Sequence, residues 1–547
     1  IPPGFYPTSQ TVTLSTATTG TTIRYTQDGT EPTETTGTAG TSVSVTSSRA
    51  LRARAFKTGM LPSATTTGTY LINEPAARRS VRAVCLVGDE QRSLYRPFGV
   101  MAIGDGSWTN FVAPAPTGNN GIWTQTGATP GTAVNLMAYN NPIHRGKFTE
   151  RLTNLEVLNP DGTPGPNVSF GLRIAGSPHA RPRYRLTNQN RLPGASPAPN
   201  EGIWSTTDFT QKPSFNFFFR GDYSDDLEWP LFEGSPLTTF HSMRMRAGKN
   251  DVTNPFIEDE YMRRLFTSTG QRGSMGMINT VYVNGVYKGY FNLCEHLREQ
   301  FFQKQYQSDK AWDVRQVTTI ASGDGLAFQE MITFLRNNPQ NITANYNGMK
   351  QRLDMVNFID YLLTNIVGVT GDWPHNNFVC SRERSPTGLH RYHLWDAEGA
   401  FGDFGGNVRT NMFVAGTTGS IVTTTPATTG LGEGIRILYT LLRDSPEFKM
   451  LFADRIQKHF FNGGCFTEAR MLADWNAMKT AFAPLIAPTA VTDRVTPWFN
   501  GVGNPARYTT GGTTNTPSRR NVLFSGYHDD TAGGVFVPGH FVAEGLW

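Results

Sequence analysis

From about residue 325 to 485 the apolar positions recur three and four apart. GLAFQEMITFLRN, LDMVNFIDYLLTNIVGV, GIRILYTLLRD, PEFKMLFADRIQKHFF and EARMLADWNAMKTAFAPLI each carry such a stripe. The period predicts helices packed around the long second one. Upstream the period shortens to two. Within the Thr-, Ser- and Gly-dense residues 1–73, VTLSTA, TIRYTQDGTEPT, SVSVTSS and ALRARAFKTG alternate like short strands and predict a small Ig-like β-sandwich. INEPAARR then reads as a linker. Between sandwich and helices lie further candidate strands: VRAVCLVGD, FGVMAIGDG, a strand pair about Asp161-Gly162, QKPSFNFFFRGDY, HSMRMRAG, and NTVYVNGVYKGYFNLCEHL with Asn284-Gly285 as its hairpin turn. A Pro- and Asn-rich insertion, residues 186–210, is long enough for a lid or flap. The reading is a multidomain α+β chain: a sandwich over 1–73, a β-rich lead-in over 74–165, a mixed domain with a β-rich and a helical lobe over 166–485, and a Gly/Thr/Pro-rich extension over 486–547 expected to wrap the surface.

One stretch breaks the pattern. GDWPHNNFVCSRERSPTGLHRYHLWDAEGAFG places an acid and two amides before one strand-like run and another acid behind the next. SPTG, Ser385 to Gly388, is a turn signal, so the two runs predict a hairpin. A turn centred between Pro386 and Thr387 pairs Arg384 with Leu389, Phe378 with Trp395, and Asn377 with Asp396. Opposed residues in such a ladder lie about 4.5–5.5 Å apart at Cα, close enough for both oxygens to serve one hard cation. A slip of one residue would turn these side chains to opposite faces.

Composition narrows the function classes. In 547 residues a net charge of +5 is spread without a dense Lys/Arg run, so nothing demands nucleic acid or a membrane surface. FIDYLLTNIVGV, the most apolar helical run, carries Asp360 and Asn365 and falls short of the ~20 apolar residues of a membrane span. The first residue is Ile1, with no charged-then-apolar leader, which suggests a processed or partial product. Cys85, Cys294, Cys380 and Cys465 form no CxxC pair; this argues against zinc and leaves disulfides open.

An Asp and an Asn five apart, opposite another Asp in an apolar hairpin, match the way kinase-like enzymes hold magnesium against nucleotide phosphates. Asp372 would orient or deprotonate the attacking hydroxyl, Asn377 and Asp396 would bind the metal, Lys212 would grip the phosphates, and Glu295 could orient that lysine. Turn chemistry accounts for the same residues. Asp372 can end a helix, Asp396 can cap the segment after it, Asn377 can bond backbone at the hairpin mouth, a strand-edge Lys212 commonly faces solvent, and Glu295 in a first helical turn complements the dipole. His375 and His393 stand at no ligand spacing with a cysteine and read as satisfied or exposed histidines.

Two resemblances extend this reading. TIRYTQDGTEPT with ALRARAFKTGMLPSATTTGTYLI resembles the small β domain at the C-terminal end of chitobiases and hexosaminidases, which implies a spacer or adhesive unit. GLRIAGS, QKPSFNFFFRGDY, WPLF, MRMRAGKND, VYVNGVYKGYFNLCEHL, VNFIDYLLTNIVGVTGDWPHNNF and HLWDAEGAFGDFGG together resemble the CotH family, the spore coat protein H type of atypical kinase, from about Arg145 to beyond Asn462. That resemblance implies a secreted or envelope-associated protein kinase with a kinase-like fold, dependent on ATP and Mg²⁺ or Mn²⁺. It carries Asp372 onto the catalytic acid, Asp396 and Asn376 or Asn377 onto the metal ligands, and Lys212 onto the phosphate-contacting lysine. Arg173 and Ser177 fall in a segment facing the nucleotide, and Glu295 on an acid of less defined role. Glu398 replaces the second Asp common in the WD motif, and the long segment between Ser177 and Lys212 replaces a short connection.

The leading expectation is phosphate transfer from ATP to Ser/Thr of an extracellular or envelope partner protein. Its rival is a surface-structural or interaction protein, part of a larger assembly, that uses a kinase-like scaffold. A third option is carbohydrate binding by residues 1–73, for which no aromatic platform is identifiable.

Overall fold

A computed structural model describes residues 1–94, 98–101, 110–112, 122–124, 146–176, 213–248, 257–402, 406–428, 430, 433–485, 498, 517–529 and 535–547. The 186–210 insertion lies outside them. Two compact units form, Ile1–Val252 with Gly276–His296, and Thr253–Met275 with Leu297–Trp547.

The first unit begins with strands β1 (Gly4–Tyr6), β2 (Gln10–Thr13), β3 (Thr22–Thr26), β4 (Thr38–Ala39), β5 (Ser42–Val45), β6 (Arg49–Phe56) and β7 (Thr66–Ile72). A sheet ordered β1-β7-β6-β3-β4 and a β2-β5 ribbon share a core of Val12, Val43, Val45, Leu51 and Tyr70. In β5 only the valines of SVSV are buried, the alternation expected of a strand with one core face.

After β8 (Ala83–Val87) and the short pair β9 (Asn110–Val112) and β10 (Ile122–Thr124) come β11 (Arg151–Leu158), β12 (Asn167–Ala175), β13 (Ser214–Phe218), the short pair β14 (Leu227–Glu228) and β15 (Thr239–Phe240), β16 (Ser242–Arg246), β17 (Gly276–Val283) and β18 (Val286–Glu295). Seven of them close a barrel in the order β11-β12-β13-β16-β18-β17-β8. Closure leaves no edge strand in the barrel. The stretch 74–165 thus supplies two barrel strands, β8 and β11.

The Asn284-Gly285 turn has the two positive φ values, 49° and 83°, that a type I′ hairpin needs. Its tip also docks the sandwich. Asn284 Nδ2 donates to Asp28 O at 3.0 Å, and a Cβ on Gly285 would lie 2.1 Å from Arg49 Cα. The expected linker is not slack either. Glu74 accepts from Tyr282 Oη at 3.0 Å and pairs with Arg78, whose guanidinium covers the Tyr287 ring at 3.9 Å. The expected strand at FGVMAIGDG does not form in its described part: residues 98–101 make a turn, and Val100 and Met101 donate to Ser93 O and Leu94 O. These N–H groups are taken by the preceding helical turn and are not available to a ladder.

The second unit holds α1 (Glu258–Ser268), α2 (Glu299–Gln305), β19 (Trp312–Gln316), β20 (Thr319–Ser322), α3 (Leu326–Asn337), α4 (Thr343–Lys350), α5 (Met355–Gly368), β21 (Phe378–Glu383), β22 (Arg391–Leu394), α6 (Gly434–Leu442), α7 (Pro446–Phe460), α8 (Glu468–Phe482), α9 (Arg519–Phe524), β23 (Tyr527–Asp529), β24 (Val535–Val537) and α10 (His540–Ala543). The five helices expected from periodicity all form. Helices α1, α4, α9 and α10 were not anticipated, and the helical turn expected at Glu295 begins instead at Glu299, as α2.

Helix α5 is apolar on nearly every side and buried throughout except at Val356, as a central helix must be. Asp354 caps it by accepting from Asn357 N at 3.1 Å. Its one acid, Asp360, is fully buried and held by Arg455 through two bonds of 2.7 Å, by His459 at 2.9 Å and by Gln271 at 2.7 Å. These bonds join α5 to α7 and compensate the desolvated charge. Among the described residues no helix is long and apolar enough to cross a membrane.

Within the extension over 486–547, expected to wrap the surface, the described portions hold both exposed apolar residues, among them Val535 and Phe536, and buried ones. Arg519 is 1% exposed and donates to the carbonyls of Ile366, Val408 and Thr410, while Phe541 and Leu546 are buried. Burial of Phe541 and Leu546 is favourable because it removes apolar surface from water. All four cysteines are free thiols.

Candidate active site

The hairpin forms, but one residue out of the expected register. Phe378 pairs with Leu394 and Ser381 with Arg391. The sequence turn at SPTG was too short. His390 is captured by the segment before α5, donating to Arg352 O at 2.8 Å and accepting from Asp354 N at 3.0 Å. The connection therefore runs over residues 384–390, and β22 starts two residues later than expected. Continued outward, this register sets Asn376, not Asn377, level with Asp396.

Both strands leave the ladder at that point. Asp372, Asn377 and Asp396 all have left-handed backbone, with φ of 53°, 54° and 57°. Asn and Asp tolerate this region better than other side chains, and such residues cluster where function fixes them. The observed slip of one residue removes the expected opposition of Asn377 and Asp396, and the left-handed backbone at both marks where the regular alternation of faces stops.

Asp372 is the hub of the first loop. Its Oδ2 accepts from Asn376 Nδ2 at 3.1 Å and Asn377 Nδ2 at 3.2 Å, and Oδ1 lies 3.2 Å from His375 Nε2. Burial alone would raise its pKa. The bonds from His375, Asn376 and Asn377 outweigh that and hold it below the ordinary carboxylate value. With 43% of its side chain exposed, the carboxylate remains open to solvent.

Backbone bonds join the two acid-bearing loops. Gly371 N donates to Gly399 O at 2.8 Å, and Phe401 N to Gly368 O at 2.8 Å. Asp396 and Glu398 thereby lie just before the stretch bonded to the one that ends next to Asp372. From α1, Asp259 Oδ1 accepts from Ala397 N at 2.8 Å, and Oδ2 pairs with Arg263 at 2.9 Å. Sequence reasoning missed Asp259 because it missed α1, although acids opening EDEYMRRLFTS four residues before arginines are a helix signal.

The grouping on the first loop is one carboxylate, Asp372, with two amides whose nitrogens face it. Among the described residues no three His, Cys, Asp or Glu side chains make a metal-ligand group. A cation held by Asp372 or Asp396 would therefore take its other ligands from amides, water or phosphate, which suits magnesium and not zinc. His393 is a satisfied core histidine, 2.7 Å from Ser381 Oγ and 2.9 Å from Arg272 O, and burial pushes its pKa down to about 3.

In the first unit, Arg173 lies on β12 and Glu295 ends β18. Glu295 is not in a helical turn as expected. It is buried and accepts from Ser235 Oγ at 2.5 Å, because the β16–β18 pairing extends to Met243 opposite it. Lys212 and Ser177 lie outside the described residues. Arg173 is paired instead with Glu150, at 3.3 Å, a carboxylate that sequence reasoning did not select.

A β-sandwich, a closed barrel and a helical unit with a loop-borne acid and amide cluster define a multidomain α+β protein. Residues 202–494, more than half the chain, match the CotH family model, described as CotH kinase protein, and the chain belongs to that family. Residues 1–67 match the chitobiase/beta-hexosaminidase C-terminal domain. A comparison with curated proteins found no match.

Proposed function

We propose that this CotH family member is a secreted or envelope-associated atypical protein kinase that transfers the γ-phosphate of ATP to a Ser or Thr hydroxyl of an extracellular partner protein. The domain boundaries that accompany this reading are an accessory domain over 1–73, a lead-in over 74–165, a kinase domain over 166–485 and an extension over 486–547.

The observation that supports it most is the convergence of Asn376 and Asn377 on the carboxylate of Asp372, in a loop bonded to the one bearing Asp396. In this reading Asp372 receives the substrate hydroxyl. The hydroxyl oxygen bonds to the γ-phosphorus, the bond to ADP breaks, and the hydroxyl proton passes to Asp372. A carboxylate held below its usual pKa is a weak base, so its contribution is to orient the hydroxyl and accept the proton late. Asp396 with Asn377 or Asn376 would hold Mg²⁺ or Mn²⁺, which when bound neutralises phosphate charge. Arg173, Lys212, Ser177 and Glu295 are assigned to the nucleotide. The rival reading, a surface-structural protein on a kinase-like scaffold, draws support from the sandwich being docked on the barrel hairpin instead of tethered.

Phosphotransfer assays with magnesium and with manganese on wild type, Asp372→Ala and Asp396→Ala separate the two. Loss of at least about a hundredfold in both variants is expected for a positioned acid and a metal ligand. Turnover that survives both substitutions overturns the mechanism, and an intact protein that binds no nucleotide leaves the scaffold.

A further inference from the structure

On one side of the barrel, Arg173 from β12 and Arg220 just past β13 converge on Glu150 at the head of β11. Arg173 Nη1 lies 3.3 Å from Glu150 Oε1, Arg220 Nη2 bonds the same oxygen, and Tyr223 Oη donates to Oε2 at 3.4 Å. Both guanidiniums lie on the Phe218 ring, 4.4 and 4.8 Å from its centroid. The layering is ordered. The Glu150 side chain is wholly shielded, whereas Arg173 and Arg220 retain 17% and 26% exposure. The cluster also requires Gly171, since a Cβ there would lie 2.4 Å from the Tyr223 ring and 2.9 Å from the Glu150 carboxylate.

Charge and donors are in excess. One carboxylate faces two arginines, Arg220 Nε is buried with no hydrogen-bond partner, and among the described residues Glu150 is the only hydrogen-bond partner of the Arg173 side chain. A buried counter-ion beneath two surface guanidiniums fixes their spacing while leaving a net positive charge outward, the requirement for fork-shaped recognition of phosphate oxygens. The geometry points to a paired-arginine site for the phosphate chain of a nucleoside di- or triphosphate, with Arg220 as a binding residue and Glu150 as the positioning residue for both arginines. Its place in catalysis rests on the kinase reading; its affinity for polyphosphate does not.

The test is titration calorimetry of the full chain with inorganic tripolyphosphate at low ionic strength. Arg173→Ala and Arg220→Ala each weaken binding roughly tenfold, the scale of one charge-assisted hydrogen bond. Arg220→Lys recovers only part, having the charge without the fork. Glu150→Gln gives a test of sign. Removing a negative charge near an anion site tightens binding if Glu150 is a bystander, and weakens it several-fold if Glu150 holds the arginines in place. If Glu150→Gln does not fold, the arginine variants decide alone. Wild-type binding that the double variant Arg173→Ala/Arg220→Ala retains, or no wild-type binding at all, overturns the site. Cluster-dependent tripolyphosphate binding in a protein that transfers no phosphate supports the site and counts against the transferase alone.

Discussion

Asp259 accepts the backbone N–H of Ala397 at 2.8 Å through one carboxylate oxygen while the other pairs with Arg263 at 2.9 Å. A residue of α1 thus fixes the turn after Asp396. Both Asp259 and Arg263 are buried, so Asp259→Ala strands a buried N–H and disrupts a charge network. Such losses cost about 3–5 kcal/mol. Asp259→Asn keeps an acceptor for Ala397. Urea unfolding followed by fluorescence should rank the variants with Ala the less stable, and equal midpoints would show that the contact contributes nothing.

Asn377 offers a way to remove an amide without straining the chain. Its φ of 54° suits glycine as well as asparagine. Asn377→Gly is expected to melt within a few degrees of wild type, while the magnesium concentration for half-maximal phosphotransfer rises several-fold. Asn377→Val, barred from this backbone region by its branched side chain, should lower the melting temperature as well. Unchanged magnesium dependence in the glycine variant would remove Asn377 from the metal ligands.

Glu156 makes the seam between sandwich and barrel sensitive to pH. It is 3% exposed, accepts from Thr69 N at 2.6 Å and Asn167 Nδ2 at 3.1 Å, and burial pushes its pKa up to about 7. The folded pKa lies above the unfolded value of 4.5, so the stabilisation is complete below that value and is lost as pH rises to about 7. The span corresponds to about 3 kcal/mol at most. Melting temperatures at pH 5, 6.5 and 8 should fall for wild type. Glu156→Gln should flatten the trend and melt higher than wild type at pH 8; parallel curves would count against this assignment.

Thiol titration checks the cysteines. Cys85, Cys294 and Cys380 are buried, and Cys465 is partly exposed with its pKa raised, chiefly by burial. An aromatic disulfide should label Cys465 slowly in the native chain and all four after denaturation. Fewer than four thiols in denaturant without reductant would reveal a disulfide.

Patterns confined to one element were legible in the chain itself. The 3.6-residue stripe of LDMVNFIDYLLTNIVGV and the Asn284-Gly285 turn between alternating strands gave α5 and the β17–β18 hairpin, because local backbone preference and burial agree there. Helix α1 was harder to see. Its mean composition is polar, and its acids are buried by pairing with its own arginines and with backbone distant in sequence. Glu150 was hidden for a related reason: nothing near it in sequence announces the two arginines, which arrive from other strands of the barrel.

The order of residues alone established the five periodic helices, most of the strands, the family, and that Asp372, Asn377 and Asp396 flank one hairpin. Folding in three dimensions set the register of that hairpin, the left-handed backbone at its mouth, the docking of the sandwich and the burial of Arg519, Phe541 and Leu546. The division reflects range. Periodicity reports which face of an element avoids water, whereas register, docking and charge pairing depend on backbone groups and ions that meet only when distant segments fold together.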